Sequence, residues 1–195
     1  MEPTPGPYSQ CVDTCPSSPL SLALAGQSDL IREDYSEKSK AKLGDEDSRN
    51  IDFNFHFENL QKAFERNMTY LCYRLERLDS SGPVLLDAAV LENVPGTHVE
   101  MLFLNSRNIQ ELKQDKKYRV TWYISWSPCA KCAQKVSKFL EAHSNVSLHI
   151  FASHLYYWDK PETRQGLRDL QQAEAQIQVM SSLGELAHWM AAGRI

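Results

Sequence analysis

Residues 118–132 read YRVTWYISWSPCAKC, and the fold prediction starts from this stretch. Its first part, Tyr118 to Trp126, is rich in aromatic and β-branched side chains, a composition typical of a β-strand. Ser127 is a favourable helix N-cap, and Pro128 suits the first position of a helix. The stretch therefore predicts a strand that runs directly into a helix, with the two thiols of a C-x-x-C pair at the start of that helix.

The sequence on either side alternates between strand and helix patterns. The predicted strands are Thr69 to Leu78, Val84 to Leu91, Tyr118 to Trp126, Val146 to Ala152 and Ile177 to Met180; the predicted helices begin near His98 and Pro128, and two more cover Pro161 to Ala175 and Leu183 to Ala192. The order β-β-α-β-α-β-α-β-α indicates an α/β fold in which a five-stranded mixed sheet is flanked by helices.

Charge and composition divide the chain at about residue 50. Residues 1–50 are rich in Pro, Ser and acidic side chains, and they hold nine acids against five bases. We predict that they form a disordered acidic leader. Residues 51–195 hold sixteen acids and sixteen bases, and we predict that they form one domain with a modest affinity for long polyanions.

Composition also narrows the class of protein. No apolar run approaches the roughly 20 residues that a membrane helix needs, and the chain does not start with the basic and apolar pattern of a secretory signal. Five cysteines are an odd number, which argues against a disulfide framework, and Cys72 lies in an apolar run typical of a core. We therefore expect a cytoplasmic protein without membrane contact, and the nucleus is also open to a chain of 22.3 kDa.

Four residues in two short motifs have the chemistry of a metal-dependent hydrolase. The letters THVE open one predicted helix, and SPCAKC opens the next. Cys129 and Cys132 are three residues apart, so both sulfurs can face one point near a helix start, and His98 offers a ring nitrogen. Three protein ligands leave one position of a tetrahedral Zn²⁺ open, which is typical of catalytic zinc. Together the motifs match the signature of zinc deaminases, in which Glu100 would be the catalytic proton carrier.

Simpler explanations of these residues exist. A lone C-x-x-C also occurs in redox pairs and as half of a four-cysteine zinc knuckle. No second C-x-x-C or H-x-x-x-H is present, so a closed structural zinc site lacks its fourth ligand. Thr97 and Glu100 also fit a capping box, in which Glu100 only caps its helix. The combination with His98 and the cysteine pair favours catalysis, and the other histidines, His154 among them, are expected to be surface or strand residues.

Three further tracts carry a family resemblance: SWSPC at residues 125–129, TYLCY at 69–73 and IFASHLYY at 150–157. They resemble the AID/APOBEC polynucleotide cytidine deaminases, and the likeness runs from about Asp52 to Met180. It is closest to the antiviral, retrovirus-restricting branch. The resemblance implies a cytidine-deaminase-like fold, one Zn²⁺ per chain, and conversion of cytosine to uracil in single-stranded DNA or RNA.

The resemblance also implies a substrate site formed by Thr69, Asn93, Trp126, Ser127, Tyr156, Tyr157 and Trp158. The target base would stack between His98 and Tyr156, and Trp126 would form the floor of the pocket. Thr69 and Asn93 would position the nucleotide and its sugar. Tyr157 and Trp158 would lie in the loop that contacts the base 5′ of the target. Without the resemblance, the same aromatic loop equally fits packing at the rim, and Trp126 fits a core.

The chain departs from the family pattern at its C-terminal end. Family domains continue through one further helix, whereas this chain stops at LAHWMAAGRI, so we expect the last helix of the family to be missing from a truncated and less stable product. The leading hypothesis is an antiviral deaminase whose partners are single-stranded DNA or RNA and, further, a viral nucleoprotein; oligomerisation is left open. The alternative is a catalytically inactive truncated form that acts as a nucleic-acid or viral-protein binding module.

Overall fold

The computed structural model describes His56, Phe57 and residues 68–180. The strands are β1 (Tyr70–Asp79), β2 (Gly82–Glu92), β3 (Tyr118–Trp126), β4 (Val146–His154) and β5 (Gln176–Val179); the helices are α1 (Val99–Leu104), α2 (Arg107–Gln110), α3 (Ala130–Ala142) and α4 (Pro161–Gln172). The predicted leader, the predicted boundary at residue 50 and the predicted helix over Leu183 to Ala192 lie outside the described residues.

The five strands form one mixed sheet in the order β2-β1-β3-β4-β5. Strand β1 is antiparallel to both β2 and β3, whereas β3, β4 and β5 are parallel to one another. Helix α3 connects β3 to β4, and α4 connects β4 to β5, as a parallel pairing requires. The predicted five-stranded mixed sheet of an α/β fold is confirmed. Because parallel strands end at the same edge of a sheet, the loops that follow β3 and β4 lie next to each other.

The larger hydrophobic core lies between one face of the sheet and helices α1 to α4. Trp122 is fully buried in the middle of β3. Phe103 of α1 meets the Trp122 ring edge to face, with 5.0 Å between ring centroids, and it meets the Tyr73 ring in the same way at 4.9 Å. Edge-to-face aromatic pairs are favourable beyond the area that they bury. They hold α1 against the centre of the sheet, and this matters because α1 begins immediately after His98.

A smaller cluster lies on the opposite face of the sheet. Phe57, Cys72 and Met180 are buried there, and the rings of Tyr123 and Phe151 stack beside them with 5.0 Å between centroids. Side chains alternate between the two faces along a strand, so Tyr123 lies on the opposite face of the sheet from Trp122, which belongs to the larger core. Cys72 is completely buried in this apolar cluster, which confirms the prediction that it is a core residue.

The described helices are short, and the longest, α3, has 13 residues. Within residues 68–180 and at His56 and Phe57, no helix combines the length and the apolar character that crossing a membrane requires.

The helix predicted to begin near His98 is in fact two helices, because the chain turns at Asn105, the C-cap of α1, and Ser106, the N-cap of α2.

The end of α4 also differs from the prediction. The helix ends at Gln172 and does not continue to Ala175. Glu174 adopts a left-handed φ of 65°, and the backbone N–H of Ala175 donates to the carbonyl of Leu170 at 2.9 Å. This is the usual way in which a left-handed residue ends a helix, although glycine is the more common residue there. The chain then enters β5 directly.

Candidate active site

A tight turn delivers His98 to the start of α1. Val94 and Thr97 exchange two backbone hydrogen bonds, of 3.2 Å from the Val94 N–H and 2.9 Å from the Thr97 N–H. Gly96 has a φ of 79° within this turn, a left-handed conformation that a residue with a Cβ adopts only with strain. His98 is the N-cap of α1, so Glu100 is the second residue of the helix. The capping box of Thr97 and Glu100 therefore does not form, and that alternative is wrong.

The second helix start is formed where β3 leads into α3. Cys129 is the N-cap of α3, with an extended backbone, and Cys132 is the third residue of the helix. The prediction that Ser127 caps this helix and that Pro128 occupies its first position is therefore wrong. Ser127 instead extends the pairing of β3 with β4, because its N–H donates to the carbonyl of His154 at 2.8 Å. The prediction that both cysteines lie at a helix start is confirmed.

These two helix starts bring the three predicted metal ligands together. The Nδ1 atom of His98 lies 3.6 Å from the Sγ atom of Cys129 and 3.3 Å from the Sγ atom of Cys132. One ligand atom from each residue lies within 4.8 Å of the others. In a tetrahedral zinc site with Zn–N and Zn–S bonds of about 2.0 and 2.3 Å, nitrogen and sulfur ligands are separated by about 3.5 Å. The spacing therefore fits one Zn²⁺, and Nδ1 is the ring nitrogen placed to bind it.

The two thiols differ in acidity. A hydrogen bond from Cys132 holds the pKa of Cys129 well below its usual range, and the nearby His98 ring contributes in the same direction. The pKa of Cys132 is raised, first because its thiol is hydrogen-bonded to Cys129 and second because it is buried. One thiolate therefore forms readily at neutral pH. The thiolate is the form of cysteine that binds zinc.

Glu100 is buried beside this cluster, with 3% of its surface exposed. Burial raises the pKa of its carboxyl to about 7, and the charge of the nearby Cys129 acts in the same direction. At neutral pH both the protonated and the ionised form of the Glu100 carboxyl are therefore populated. A carboxyl with this property can accept a proton in one step of a reaction and return it in the next.

Two of the predicted substrate residues, Thr69 and Asn93, are joined at the same edge of the sheet. The Thr69 N–H donates to Oδ1 of Asn93 at 2.6 Å, and the Asn93 N–H donates to the Thr69 carbonyl at 3.1 Å. The start of β1 is also tied to β3, because the Tyr70 N–H donates to the Ser125 hydroxyl at 3.0 Å. The Asn93 amide oxygen accepts the hydrogen bond from Thr69, so the side chain can offer its NH₂ group as a donor to a nucleotide.

Trp126 is half-buried at the end of β3, beside a residue of the site that no sequence motif indicates. Its ring lies 4.7 Å from the ring of His154, with 36° between the ring planes. His154 is 7% exposed, and its Nδ1 atom is 2.8 Å from the Ser125 carbonyl, the distance at which an Nδ1–H donates. His154 is the last residue of β4, which agrees with the prediction that it is a surface or strand residue, although the predicted strand ended at Ala152. Its contact with Trp126 depends on the register of β3 against β4, which the sequence does not reveal.

The loop after β4 carries the remaining predicted residues. The Tyr156 N–H donates to the Ser127 hydroxyl at 2.9 Å, and this hydrogen bond fixes the loop next to the cysteine-bearing helix start. The rings of Tyr156 and Tyr157 meet edge to face at 4.6 Å, and Tyr157 has a left-handed φ of 38°. The Lys160 amine lies 4.2 Å from the Tyr157 ring centroid, a cation–π contact. Trp158 is 65% exposed on the same loop.

A five-stranded mixed sheet whose helix starts gather one histidine, two cysteines and a buried glutamate defines a cytidine-deaminase-like fold. Residues 47–189 match the family model described as APOBEC3, cytosine deaminase domain. This match covers well over half of the chain, and the protein belongs to the APOBEC3 cytosine deaminase domain family. The resemblance to this family of deaminases is confirmed.

Similar proteins include rodent and cat members of the family. The chain is 42% identical over 131 residues to the DNA dC->dU-editing enzyme APOBEC3 of Rattus norvegicus and to the DNA dC->dU-editing enzyme APOBEC-3 of Mus musculus; each match covers 66% of this chain and 30% of the relative. It is 40% identical over 133 residues to the DNA dC->dU-editing enzyme APOBEC-3Ca of Felis catus, which covers 66% of this chain and 69% of the relative. The chain therefore spans about a third of the length of the two rodent proteins.

Proposed function

We propose that this protein is a zinc-dependent deaminase that converts cytosine to uracil in single-stranded DNA. The observation that carries the proposal is the cluster of His98, Cys129 and Cys132 at zinc-ligand spacing, with Glu100 buried beside it. The names of the rodent and cat relatives, which are dC->dU-editing enzymes, support the same reaction and substrate.

The side chains of the site have distinct parts in this reaction. Deamination adds water to C4 of cytosine and releases the exocyclic amine as ammonia, so protons must move from the water to the base. His98, Cys129 and Cys132 would hold the zinc ion, which when bound supplies a water nucleophile at neutral pH. The Glu100 carboxylate would accept a proton from the water and deliver protons to the ring nitrogen and to the departing amine. Burial, which raises the pKa of this carboxyl, helps it to hold a proton between the two steps.

The aromatic residues would bind the base and its neighbour. We assign stacking of the target base to His98 and Tyr156, and the floor of the pocket to Trp126. The support for this assignment is that the Trp126 ring packs on His154 and that the loop with Tyr156 is hydrogen-bonded next to the metal cluster. Tyr157 and Trp158 would contact the base 5′ of the target, where stacking contributes about 1–3 kcal/mol per base.

Polar groups at the sheet edge would position the sugar and phosphate of the target nucleotide. We assign this to Thr69 and Asn93, because the Thr69 N–H holds Oδ1 of Asn93 in place and a second hydrogen bond, between the two backbones, keeps the residues side by side. Ser127 would act indirectly, because its hydroxyl accepts the hydrogen bond that places Tyr156.

The cellular role that we propose is restriction of retroviruses and retroelements in the cytoplasm. The partners would be single-stranded DNA or RNA and a viral nucleoprotein. Support for this role comes from the likeness of the motifs to the retrovirus-restricting branch of the family, and it is separate from the proposal for the reaction.

Conversion of one cytosine in a single-stranded DNA oligonucleotide by the purified full chain tests the proposed reaction. The E100Q variant keeps the size of the side chain, and we expect it to retain one zinc per chain and oligonucleotide binding while conversion falls at least 100-fold. The matched control is E111Q at the C-cap of α2, where an exposed carboxylate pairs with Arg107, and we expect this variant to leave conversion unchanged. Wild-type protein that holds one zinc and binds the oligonucleotide without converting it would support the non-catalytic binding module instead.

A further inference from the structure

We propose that three lysines on the outer face of α3 form a binding surface for the phosphate backbone of the polynucleotide. Lys131, Lys135 and Lys138 define this surface, which we call the lysine stripe. The identity of its partner rests on the proposed function, since that function makes a single-stranded polynucleotide the substrate. The stripe is separate from the metal cluster and from the aromatic loop, and it would bind the strand beyond the nucleotide in the pocket.

Helical geometry places the three amines in one row. They are spaced by four and three residues, so they share one side of the helix. All three are exposed, whereas the buried residues of α3, which include Val136 and Leu140, lie on the opposite side. At a rise of 1.5 Å per residue the row is about 10 Å long. It starts at the metal cluster, because Lys131 lies between the two cysteines in the chain.

The stripe opposes the stability of its own helix. Like charges four residues apart on a helix repel one another, and Lys131 lies in the first turn, where the helix dipole disfavours a cation. That turn holds no acidic residue. Among the residues that the structure describes, neither Lys131 nor Lys138 forms an ion pair with a carboxylate. A chain of phosphates alongside α3 removes this repulsion, and a row of amines is complementary in charge to it.

A second lysine group provides a matched control for general charge effects. Lys113, Lys116 and Lys117 are also exposed, and they precede β3. They lie at the end of β3 remote from the metal cluster, because the cysteines follow the other end of that strand. Lys116 lies 3.6 Å from the carboxylate of Asp115. This group has the same formal charge as the stripe, but it lies beside the last turn of α3, where Lys117 and Glu141 line one pocket, and the 13 residues of that helix separate it from the metal cluster.

The test compares binding of a labelled 20-nucleotide single-stranded DNA over a range of salt concentrations. The stripe variant is K131Q/K135Q/K138Q, which keeps good helix formers in α3, and the control variant is K113Q/K116Q/K117Q. Each phosphate contact to a single strand contributes about 0.7 to the slope of log K against log salt, so the stripe variant is expected to lose about 2 from the slope. Its Kd near 0.1 M salt should rise at least ten-fold, with zinc at one per chain.

The control variant should keep the wild-type slope to within about 0.5. Equal loss of slope in both variants, or no loss in the stripe variant, would overturn the proposal. If the triple variant does not fold, the single variant K138Q carries the test, with an expected loss of about 0.7. Binding is measured without turnover. Wild-type protein that converts no cytosine but shows the same difference in slope would refute the proposed reaction and leave the lysine stripe standing; wild-type protein that binds no DNA would refute the stripe.

Discussion

The hydroxyl of Ser127 is expected to control both stability and activity through the loop after β4. Ser127 is 3% exposed, and its Oγ atom accepts the backbone N–H of Tyr156 at 2.9 Å. S127A removes the acceptor and leaves that N–H without its partner, at a cost of about 1–3 kcal/mol. Because Tyr156 is only half-buried and water can reach part of the loop, we expect the low half of this range, about 1–2 kcal/mol. If the loop must be attached for the base to stack, this loss corresponds to a fall in kcat/KM of about ten-fold.

Urea unfolding followed by tryptophan fluorescence, together with deamination of a single-stranded oligonucleotide, measures both effects of S127A. The matched control is S144A, an exposed serine in the turn before β4, for which we expect changes below about 0.5 kcal/mol. Zinc content should remain at one per chain in both variants, because neither serine is a ligand. An S127A protein with wild-type stability and kcat/KM would show that the hydroxyl does not hold the loop and does not order Tyr156 for stacking.

Three further outcomes are expected from the same structure. Removal of zinc by a chelator should lower the free energy of unfolding by about 2.7 kcal/mol, compared with protein at a free zinc concentration of 100 times the dissociation constant. C129S should abolish this difference, whereas C72A should retain it. Thermal melts with and without chelator measure the effect. G96A should destabilise the fold by about 1–2 kcal/mol and weaken zinc binding in a competition titration, because φ is 79° there; G82A, at a φ of 118° in the remote β-hairpin turn, should destabilise it without a change in zinc affinity. L170A removes a fully buried side chain between α4 and the sheet and should cost about 2–5 kcal/mol in urea unfolding; a loss below 1 kcal/mol would contradict the assigned packing.

Elements with a strong internal pattern were predictable from the sequence. The bounds of β3 agree with the prediction from Tyr118 to Trp126, because aromatic and β-branched residues continue through the whole strand. Helix ends were less predictable. The left-handed conformation of Glu174 ends α4, and no glycine or proline marks the position. The cap of α3 moved from Ser127 to Cys129 because strand pairing, a long-range contact, takes the backbone of the serine.

The candidate site shows the same division between local and long-range information. The three candidate metal ligands, which the structure brings together, could be picked out from residue type and spacing, both of which are local. The contact of Trp126 with His154 and the hydrogen bond from the Tyr156 N–H to the Ser127 hydroxyl depend on how β3 and β4 are aligned. The choice of the His98 ring nitrogen depends on how the start of α1 faces the start of α3. The predictions for the leader and for the last helix concern residues outside the described range, and they stay predictions.

The position of the ligands along the chain also has a consequence for the order of folding. His98 and the first cysteine are 31 residues apart, and both precede β4 and β5, which contribute no ligand. The hairpin of β1 and β2 is local and can form early, and pairing of β3 along β1 then carries the thiols to the histidine. A nascent chain that has emerged only as far as α3 therefore already holds all three proposed zinc ligands. Zinc bound at that stage would link the start of α1 to the start of α3. It would therefore stabilise the antiparallel part of the sheet, β1 to β3, while β4 and β5 are still being synthesised.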